Sequence, residues 1–214
     1  MISMLSRVGS FVSLRLRLAE DWWFDTWNRV DTRSDPTWQR AADTLGPARD
    51  GHMYLPARAR NVRASLRALP LSDRAEYTFL DMGSGKGRVV LLAAELPFKR
   101  VIGVEYSASL DQQARANLQA CRNKAKGCKD VELKHADAAS YVFPGGNLVI
   151  YLFNPFGPDV MSRMLRNLQS SIKAEPRHVI LVLLWPELSD MVAQVPGMRL
   201  SSRTRRYEIL EMGR

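Results

Sequence analysis

An aspartate and three alternating glycines stand together in the stretch 81–87, which reads DMGSGKG. Glycine permits backbone angles that are closed to other residues and lets a ligand approach the main chain. Free amides at the start of a helix favour negative charge, whereas a carboxylate beside them favours positive charge. With a strand ending near Asp81 and a helix starting near Gly85, this turn is suited to a ligand that carries both charges.

Three ligand classes use glycine-rich turns of this kind, and the spacing separates them. A P-loop requires glycine where this chain has Leu80, and serine or threonine where it has Gly87. A dinucleotide fingerprint requires glycine or alanine at Arg88, and Asp81 would repel a pyrophosphate. S-adenosylmethionine (SAM) combines an ammonium and a sulfonium with a carboxylate, so its charges match the turn. The pattern predicts that SAM is bound by Asp81, Gly83, Ser84, Gly85 and Gly87.

Acidic residues at the ends of the next two predicted strands suit the same ligand. The strand 99–105 ends at Glu105, whose two carboxylate oxygens can accept from vicinal ribose hydroxyls. The strand 131–134 is followed by Asp137, which is either a solvated turn residue or an acceptor for the adenine amino group. Parallel sheets bind ligands at the carboxyl ends of their strands. We therefore predict cofactor contacts from Glu105, Tyr106, Asp137 and Ala138.

The sequence FNPFG at 153–157 ends a fourth predicted strand, 147–153, and is the candidate for the acceptor side. The alternative is that asparagine, proline and glycine form an ordinary turn here and that Phe156 is a core residue. Tyr54 precedes a basic helix predicted over about 57–69. It is either a packing residue or part of the site.

Together, the strings FLDMGSGKGR, GVEYS, HADA and YLFNPFG resemble successive motifs of the class I SAM-dependent methyltransferases. The resemblance covers most of residues 54–214. MYLPARARNVRASLRALP with the glycine loop is similar to small lysine methyltransferases that modify the ATP synthase c-subunit, and GSGKGRVVL is similar to Dot1-type histone methyltransferases. An uncharacterised bacterial group that carries EDWWFDTWNRVDTR upstream is more similar still.

The resemblance implies that Asn154, Pro155 and Phe156 form the acceptor side. In methyltransferases with an N-P-P-aromatic motif, the asparagine and a backbone carbonyl accept hydrogen bonds from the target nitrogen, and the aromatic ring packs on it. One proline of that motif is missing here, and Asn154 could equally contact the methionine part of SAM. A protein lysine or small-molecule amine is the expected acceptor. RNA or DNA is the alternative, and a SAM-binding module without catalysis is the third.

The elements that must position these residues are those of one α/β unit. A chain of 214 residues with 46% hydrophobic content can bury a substantial core. The apolar runs 147–153 and 178–185 are typical of strands covered on both faces, and helices are predicted over 107–120 and 158–172. The expected fold is the Rossmann-like class I methyltransferase fold, with helices on both faces. Its seven-stranded sheet is mostly parallel, with an antiparallel C-terminal hairpin formed by 200–202 and 206–212.

Residues 1–50 are predicted as an N-terminal segment that precedes a methyltransferase domain at 51–214. Residues 1–19 contain Arg7, Arg15 and Arg17 but no acid, with Met4, Leu5, Val8, Phe11 and Val12 at helical spacing and three tryptophans following by residue 27. Three interpretations stay open: peripheral membrane contact through residues 1–27, a lid helix over the SAM pocket, or a targeting sequence.

Composition leaves the partner and the compartment only loosely defined. A net charge of +9 favours nucleic acid, anionic lipid and acidic protein alike. The three histidines show no paired metal-ligand spacing, and Cys121 and Cys128 lie in or near a lysine-rich stretch, so no metal site is predicted. Two cysteines suit a reducing compartment. The expected location is cytoplasmic, including the inner face of a membrane, and the oligomeric state is left open.

Overall fold

The computed structural model describes residues 18–34, 54–121, 127–184 and 189–213. In these ranges the strands are β1 Tyr77–Met82, β2 Arg100–Glu105, β3 Val131–His135, β4 Asn147–Phe153, β5 Val179–Leu184, β6 Arg199–Arg203 and β7 Tyr207–Met212. The helices are α1 at 18–28, α2 Ala59–Arg67, α3 Arg88–Ala94, α4 Ala108–Cys121, α5 Pro158–Ala174 and α6 Ser189–Ala193. Two 3-10 turns, Arg74–Glu76 and Ala138–Ser140, complete the set.

The strands form one sheet in the order β3-β2-β1-β4-β5-β7-β6. The first five in chain order pair in parallel, whereas β7 is antiparallel to β5 and to β6. The predicted sheet and its C-terminal hairpin are thus confirmed. The strand order reverses between β1 and β4, and ligands of open α/β sheets bind at the carboxyl ends of the strands at such a point.

Alternate residues of the central strands build a hydrophobic layer on each face of the sheet. Phe79 and Val149 pack with residues of α2 and α3, whereas Leu80 and Ile150 pack with residues of α5. All six residues of β1 are buried, as expected for a strand covered on both faces. The predicted helices on both faces are therefore present, and β1 delivers Asp81 at its carboxyl end from a rigid centre.

The helix after the glycine loop begins at Arg88, so the predicted start near Gly85 is wrong. The φ angles of Gly83, Gly85 and Gly87 are 82°, 53° and 84°, in the left-handed region that a right-handed helix does not use. The chain can enter the helix only after the last of these glycines. The predicted strand 178–185 is observed as Val179–Leu184, and Trp185 lies outside the described residues.

The N-terminal segment enters the core where the structure describes it. The side chain of Phe24 is 2% exposed and packs in the same cluster as Val62 of α2 and Val89 of α3. Residues 1–17, on which part of the membrane and targeting predictions depends, lie outside the described residues, as does the predicted boundary at residue 50. In the described ranges, no helix has both the length and the apolar character needed to cross a membrane.

Candidate active site

The glycine loop, residues 83–87, is held against the carboxyl end of β2 by its own amides. The amides of Gly83 and Ser84 donate to the Val104 carbonyl at 2.8 and 3.0 Å, and the amide of Gly87 donates to the Ser84 carbonyl at 2.8 Å. The Gly85 amide donates to Glu105 Oε2 at 2.7 Å. Four amides of the turn are thus engaged within the protein. These four amides are therefore not free to bind a ligand carboxylate.

Two residues from other segments approach the glycine loop closely. A Cβ atom at Gly83 would lie 2.3 Å from Cβ of Pro155, and one at Gly85 would lie 2.3 Å from Cε2 of Tyr54. Any larger residue at either position would displace these neighbours. The glycines therefore bring together the loop, the end of β4 and the chain entering α2, which sequence spacing alone did not connect.

Asp81 is the buried acid of the site. Its side chain is almost fully buried, and its Oδ2 has no hydrogen-bond partner among the described residues. Burial raises the pKa of Asp81 well above its usual range, and the nearby Glu105 raises it further. A buried carboxylate oxygen without a partner is costly. A cationic ligand would remove that cost, so the ammonium of SAM fits this position.

Glu105, at the end of β2, uses both carboxylate oxygens to organise the main chain. Oε2 accepts from the Gly85 amide at 2.7 Å, and Oε1 accepts from the Ser107 amide at 2.8 Å. Burial raises the pKa of Glu105, although these hydrogen bonds oppose the shift. Each carboxylate oxygen can accept more than one hydrogen bond. Glu105 therefore fixes the glycine loop, and its contact with the ribose stays a prediction.

The predicted adenine contacts lie at the neighbouring strand end. Asp137 Oδ1 accepts from the Ala139 amide at 2.8 Å and caps the 3-10 turn Ala138–Ser140. The Ala138 side chain is buried, whereas Tyr106 is largely exposed and its carbonyl lies 2.9 Å from His135 Nε2. Their contacts with adenine stay predictions.

The predicted acceptor residues divide between the site and the core. Asn154 has a φ angle of 42°, an uncommon conformation that asparagine adopts more readily than most residues and that recurs at functional sites. Pro155 lies against the glycine loop. Phe156 is instead buried in the α5-side cluster with Met161 and Leu165. This position is that of a core residue and speaks against direct contact between Phe156 and an acceptor.

Sequence reasoning missed a buried ion-pair network on the other side of the loop. Arg88 contacts Asp21 and lies with its Nη2 3.5 Å from Asp25 Oδ1. Lys86, which has no exposed surface, lies with its Nζ 3.1 Å from Asp31 Oδ2. The only signal in the sequence was the presence of several acids in EDWWFDTWNRVDTR and of two cations in GKGR, and these two stretches are far apart in the chain.

Tyr54 joins this network to the glycine loop. Its hydroxyl donates to the Thr32 carbonyl at 2.7 Å, and the Lys86 Nζ lies 5.9 Å from the centroid of its ring. Burial is the main cause that raises the pKa of Tyr54, so the phenol stays a neutral donor. Tyr54 therefore packs against the glycine loop, and its direct contact with the acceptor stays a prediction.

Residues 79–175 match the model of a family described as a methyltransferase domain. No curated protein is significantly similar. Among solved structures, magnesium protoporphyrin IX methyltransferase from Synechocystis PCC 6803 has a TM-score of 0.54 at 17% identity, over 85% of this chain and 92% of that chain.

A predicted N6-adenine-specific DNA methylase from Listeria monocytogenes also has a TM-score of 0.54, at 14% identity. The match covers 73% of this chain and 51% of that one, so this chain spans about half the length of that protein. At these identities the likeness is one of fold. The family match covers Asp81, Glu105, Asp137 and Asn154, and the finer resemblances to particular lysine methyltransferases stay predictions.

Proposed function

We propose that this chain, whose residues 79–175 match a methyltransferase domain, is a SAM-dependent methyltransferase that transfers the methyl group to a neutral nitrogen. A protein lysine or another amine is the acceptor class that we put first. One observation supports this proposal above all. Asn154 follows the carboxyl end of β4, the strand beside β1, and the next residue, Pro155, lies against Gly83 of the glycine loop. A polar amide thus stands beside the place where the cofactor is expected.

The chain's own residues would hold SAM by complementary charge and shape. We infer that Asp81 receives the ammonium, because its buried Oδ2 lacks a partner. Glu105 would accept from the ribose and Asp137 from the adenine, as the strand order suggests. The amides of Gly83 and Gly85 already donate within the protein, so these glycines contribute to the site through their small size. When bound, SAM supplies a methyl group on a sulfonium that needs no further activation.

Transfer from a sulfonium requires a nucleophile with a free electron pair in line with the breaking bond. A lysine amine has an ordinary pKa of about 10.4 and must lose a proton before it reacts. The side-chain oxygen of Asn154 can accept a hydrogen bond from the neutral amine and so orient its electron pair. Correct orientation accounts for much of the rate that an enzyme adds to such a step.

Nucleic acid is the second candidate acceptor. The net charge of +9 favours a polyanion, and the N-P-F sequence at 154–156 is a shortened form of the N-P-P-aromatic motif. The core position of Phe156 weakens this alternative, because a target base needs an accessible ring to stack on. A SAM-binding module without catalysis is the third alternative.

The acceptor class is tested with SAM that carries a labelled methyl group, incubated with the protein and a cell lysate. We expect protease, and not nuclease, to release the label from the macromolecular fraction. Label released by nuclease would establish the nucleic-acid alternative. SAM binding in calorimetry without any transfer would establish the non-catalytic alternative.

The role of Asn154 is tested by Asn154→Ala, with Asn147→Ala as a matched control at the other end of the same strand. We expect Asn154→Ala to reduce the rate of transfer roughly a hundredfold, the scale of losing one positioned polar group in an active site. SAM affinity should stay close to that of the unsubstituted protein, whereas thermal unfolding should shift slightly downward, because alanine adopts the positive φ angle of residue 154 less readily than asparagine. Equal transfer rates in the two variants would contradict the assignment.

A further inference from the structure

In α1, acidic residues are buried and large apolar residues are exposed, which reverses the usual distribution. An amphipathic helix normally buries its apolar stripe and exposes its charges. In α1 the buried positions include Asp21 and Asp25, which pair with Arg88. The exposed positions carry Leu18, Trp22, Trp23 and Trp27, whose exposed fractions are 57%, 56%, 56% and 66%. The outer face of α1 is therefore an apolar patch, and we call these four residues the tryptophan patch.

A basic helix borders the tryptophan patch. A cleft of about 490 Å³ lies between α1 and α2, and it is lined by Glu20, Trp23, Phe24, Ala59, Arg60, Arg63 and Arg67. The three arginines recur at the helical spacing that places them on one face of α2. Arg60 lies 3.6 Å from Glu20 and Arg63 lies 2.9 Å from Glu95, whereas Arg67 is exposed. The three arginines thus outnumber their two acidic partners, Glu20 and Glu95, along α2.

The sequence preceding the patch has the same character. Residues 1–17 combine apolar side chains with Arg7, Arg15 and Arg17 and contain no acid. These residues adjoin α1 directly in the chain, although they lie outside the described ranges. Exposed indoles, adjoining apolar side chains and surrounding cations form the combination that suits the boundary between lipid headgroups and acyl chains.

We propose that the tryptophan patch docks the protein on an anionic membrane surface. The indoles enter the interfacial layer, where a ring with an apolar body and a polar N–H is favoured. The exposed Arg67 faces the lipid phosphates. This docking does not depend on which acceptor the enzyme methylates.

Two other occupants suit the observations less well. Single-stranded nucleic acid would need free aromatic faces for its bases. Trp23 and Trp27 already stack on each other, with ring centroids 5.8 Å apart and planes inclined by 12°. A second copy of the chain would bring two arginine rows together, and like charges at an interface are unfavourable. The apolar residues of 1–17 also favour hydrocarbon over a phosphate backbone.

The proposal is tested by cosedimentation of the full-length protein with two kinds of vesicle. One kind is phosphatidylcholine alone, and the other is an equimolar mixture of phosphatidylcholine and phosphatidylglycerol. The test variant is Trp22→Gln with Trp27→Gln, and the control is Val142→Gln with Leu200→Gln, which are exposed apolar residues elsewhere. Circular dichroism and thermal unfolding establish that both variants are folded.

We expect the unsubstituted protein and the control to partition onto the anionic vesicles, with weaker binding at high salt. The partition coefficient of the tryptophan variant should be at least tenfold lower. Absence of binding to either vesicle, or equal partitioning of the two variants, would overturn the proposal. So would a dimer in sedimentation velocity, or binding of a single-stranded oligonucleotide, that the tryptophan variant abolishes while vesicle binding is unchanged.

Discussion

The two flanks of the glycine loop both bury charge, but they treat it in opposite ways. On one flank, Arg88 lies between Asp21 and Asp25, and Lys86 lies beside Asp31, so each buried cation has a carboxylate partner. On the other flank, Asp81 and Glu105 are both acids, and Oδ2 of Asp81 lacks a partner among the described residues. Each cation of the first flank thus has a carboxylate partner within the chain, although Nη2 of Arg88 makes no hydrogen bond among the described residues. The second flank would gain its partner from a cationic ligand.

This difference separates the parts of the loop that serve the fold from those that serve a ligand. Removing one partner of a buried ion pair is strongly destabilising, because the other charge is left uncompensated. A buried acid without a partner is itself destabilising, and its persistence is typical of a functional site. Substitutions on the cationic flank should therefore act on stability, and those on the acidic flank should act on SAM affinity.

The largest effect is expected for Arg88→Ala. This substitution leaves Asp21 and Asp25 buried without their cation and should lower the free energy of unfolding by about 3 to 5 kcal/mol. Denaturant unfolding measures the change. The matched control is Arg100→Ala, whose side chain is 39% exposed and pairs at the surface with Asp130. Similar losses in both variants would show that the buried network adds no special stability.

Asp81→Asn should weaken SAM binding at least tenfold, about 1.4 kcal/mol, because the ligand's ammonium loses its charged partner. The same substitution should stabilise the ligand-free protein at neutral pH. The raised pKa of Asp81 means that its contribution to stability is fully present below its ordinary pKa and is lost as the pH rises through the raised value. Asparagine does not ionise, so Asp81→Asn does not lose stability as the pH rises through that value.

Calorimetry and thermal unfolding over a pH series measure the two effects of Asp81→Asn separately. The control is Glu132→Gln, which changes a partly buried acid of the edge strand β3 that pairs with Arg100. A lower affinity together with a lower ligand-free stability would show that Asp81 supports the fold instead of the ligand. The distinction between the two flanks would then fail.

The smallest effect is expected for Asp31→Asn, since the Asp31 side chain is 52% exposed although Lys86 is buried. The Asp31 carboxylate is screened by water, and asparagine keeps a side-chain oxygen that can accept from Lys86, so the substitution should cost only about 1 kcal/mol of unfolding free energy although Lys86 is buried. Equilibrium unfolding measures this cost, with Asp130→Asn as the control on an exposed pair. A loss as large as that of Arg88→Ala would mean that Lys86 depends on Asp31 alone, and the cationic flank would need a new description.

The sequence was sufficient for the sheet and for the positions of its acids. The apolar run 147–153 is observed unchanged as β4, because a strand buried on both faces leaves a continuous hydrophobic signal. Asp81 and Glu105 stand where predicted, since the ends of parallel strands converge on one edge of the sheet. These features depend on residues that are close in the chain or repeat with a simple period.

The sequence was not sufficient for contacts between distant segments. The start of α3 at Arg88 depends on three left-handed glycines, whose close neighbours Tyr54 and Pro155 arrive from elsewhere in the chain. The approach of Asp21 and Asp25 to Arg88 has no local signal, because ion pairs across such a separation follow from tertiary packing. The burial of Phe156 likewise follows from the path of α5.

The acidic flank is tested most directly by the protons released when SAM binds. A cationic ligand favours the ionised form of Asp81 and so lowers its raised pKa. Calorimetric titrations in two buffers of different ionisation enthalpy, at several pH values above the ordinary carboxyl pKa of about 3.9, give the number of protons released. We predict proton release from the unsubstituted protein and a smaller release from Asp81→Asn, with at least tenfold weaker binding. Equal affinity and equal proton release in the two proteins would contradict the SAM site proposed for this loop.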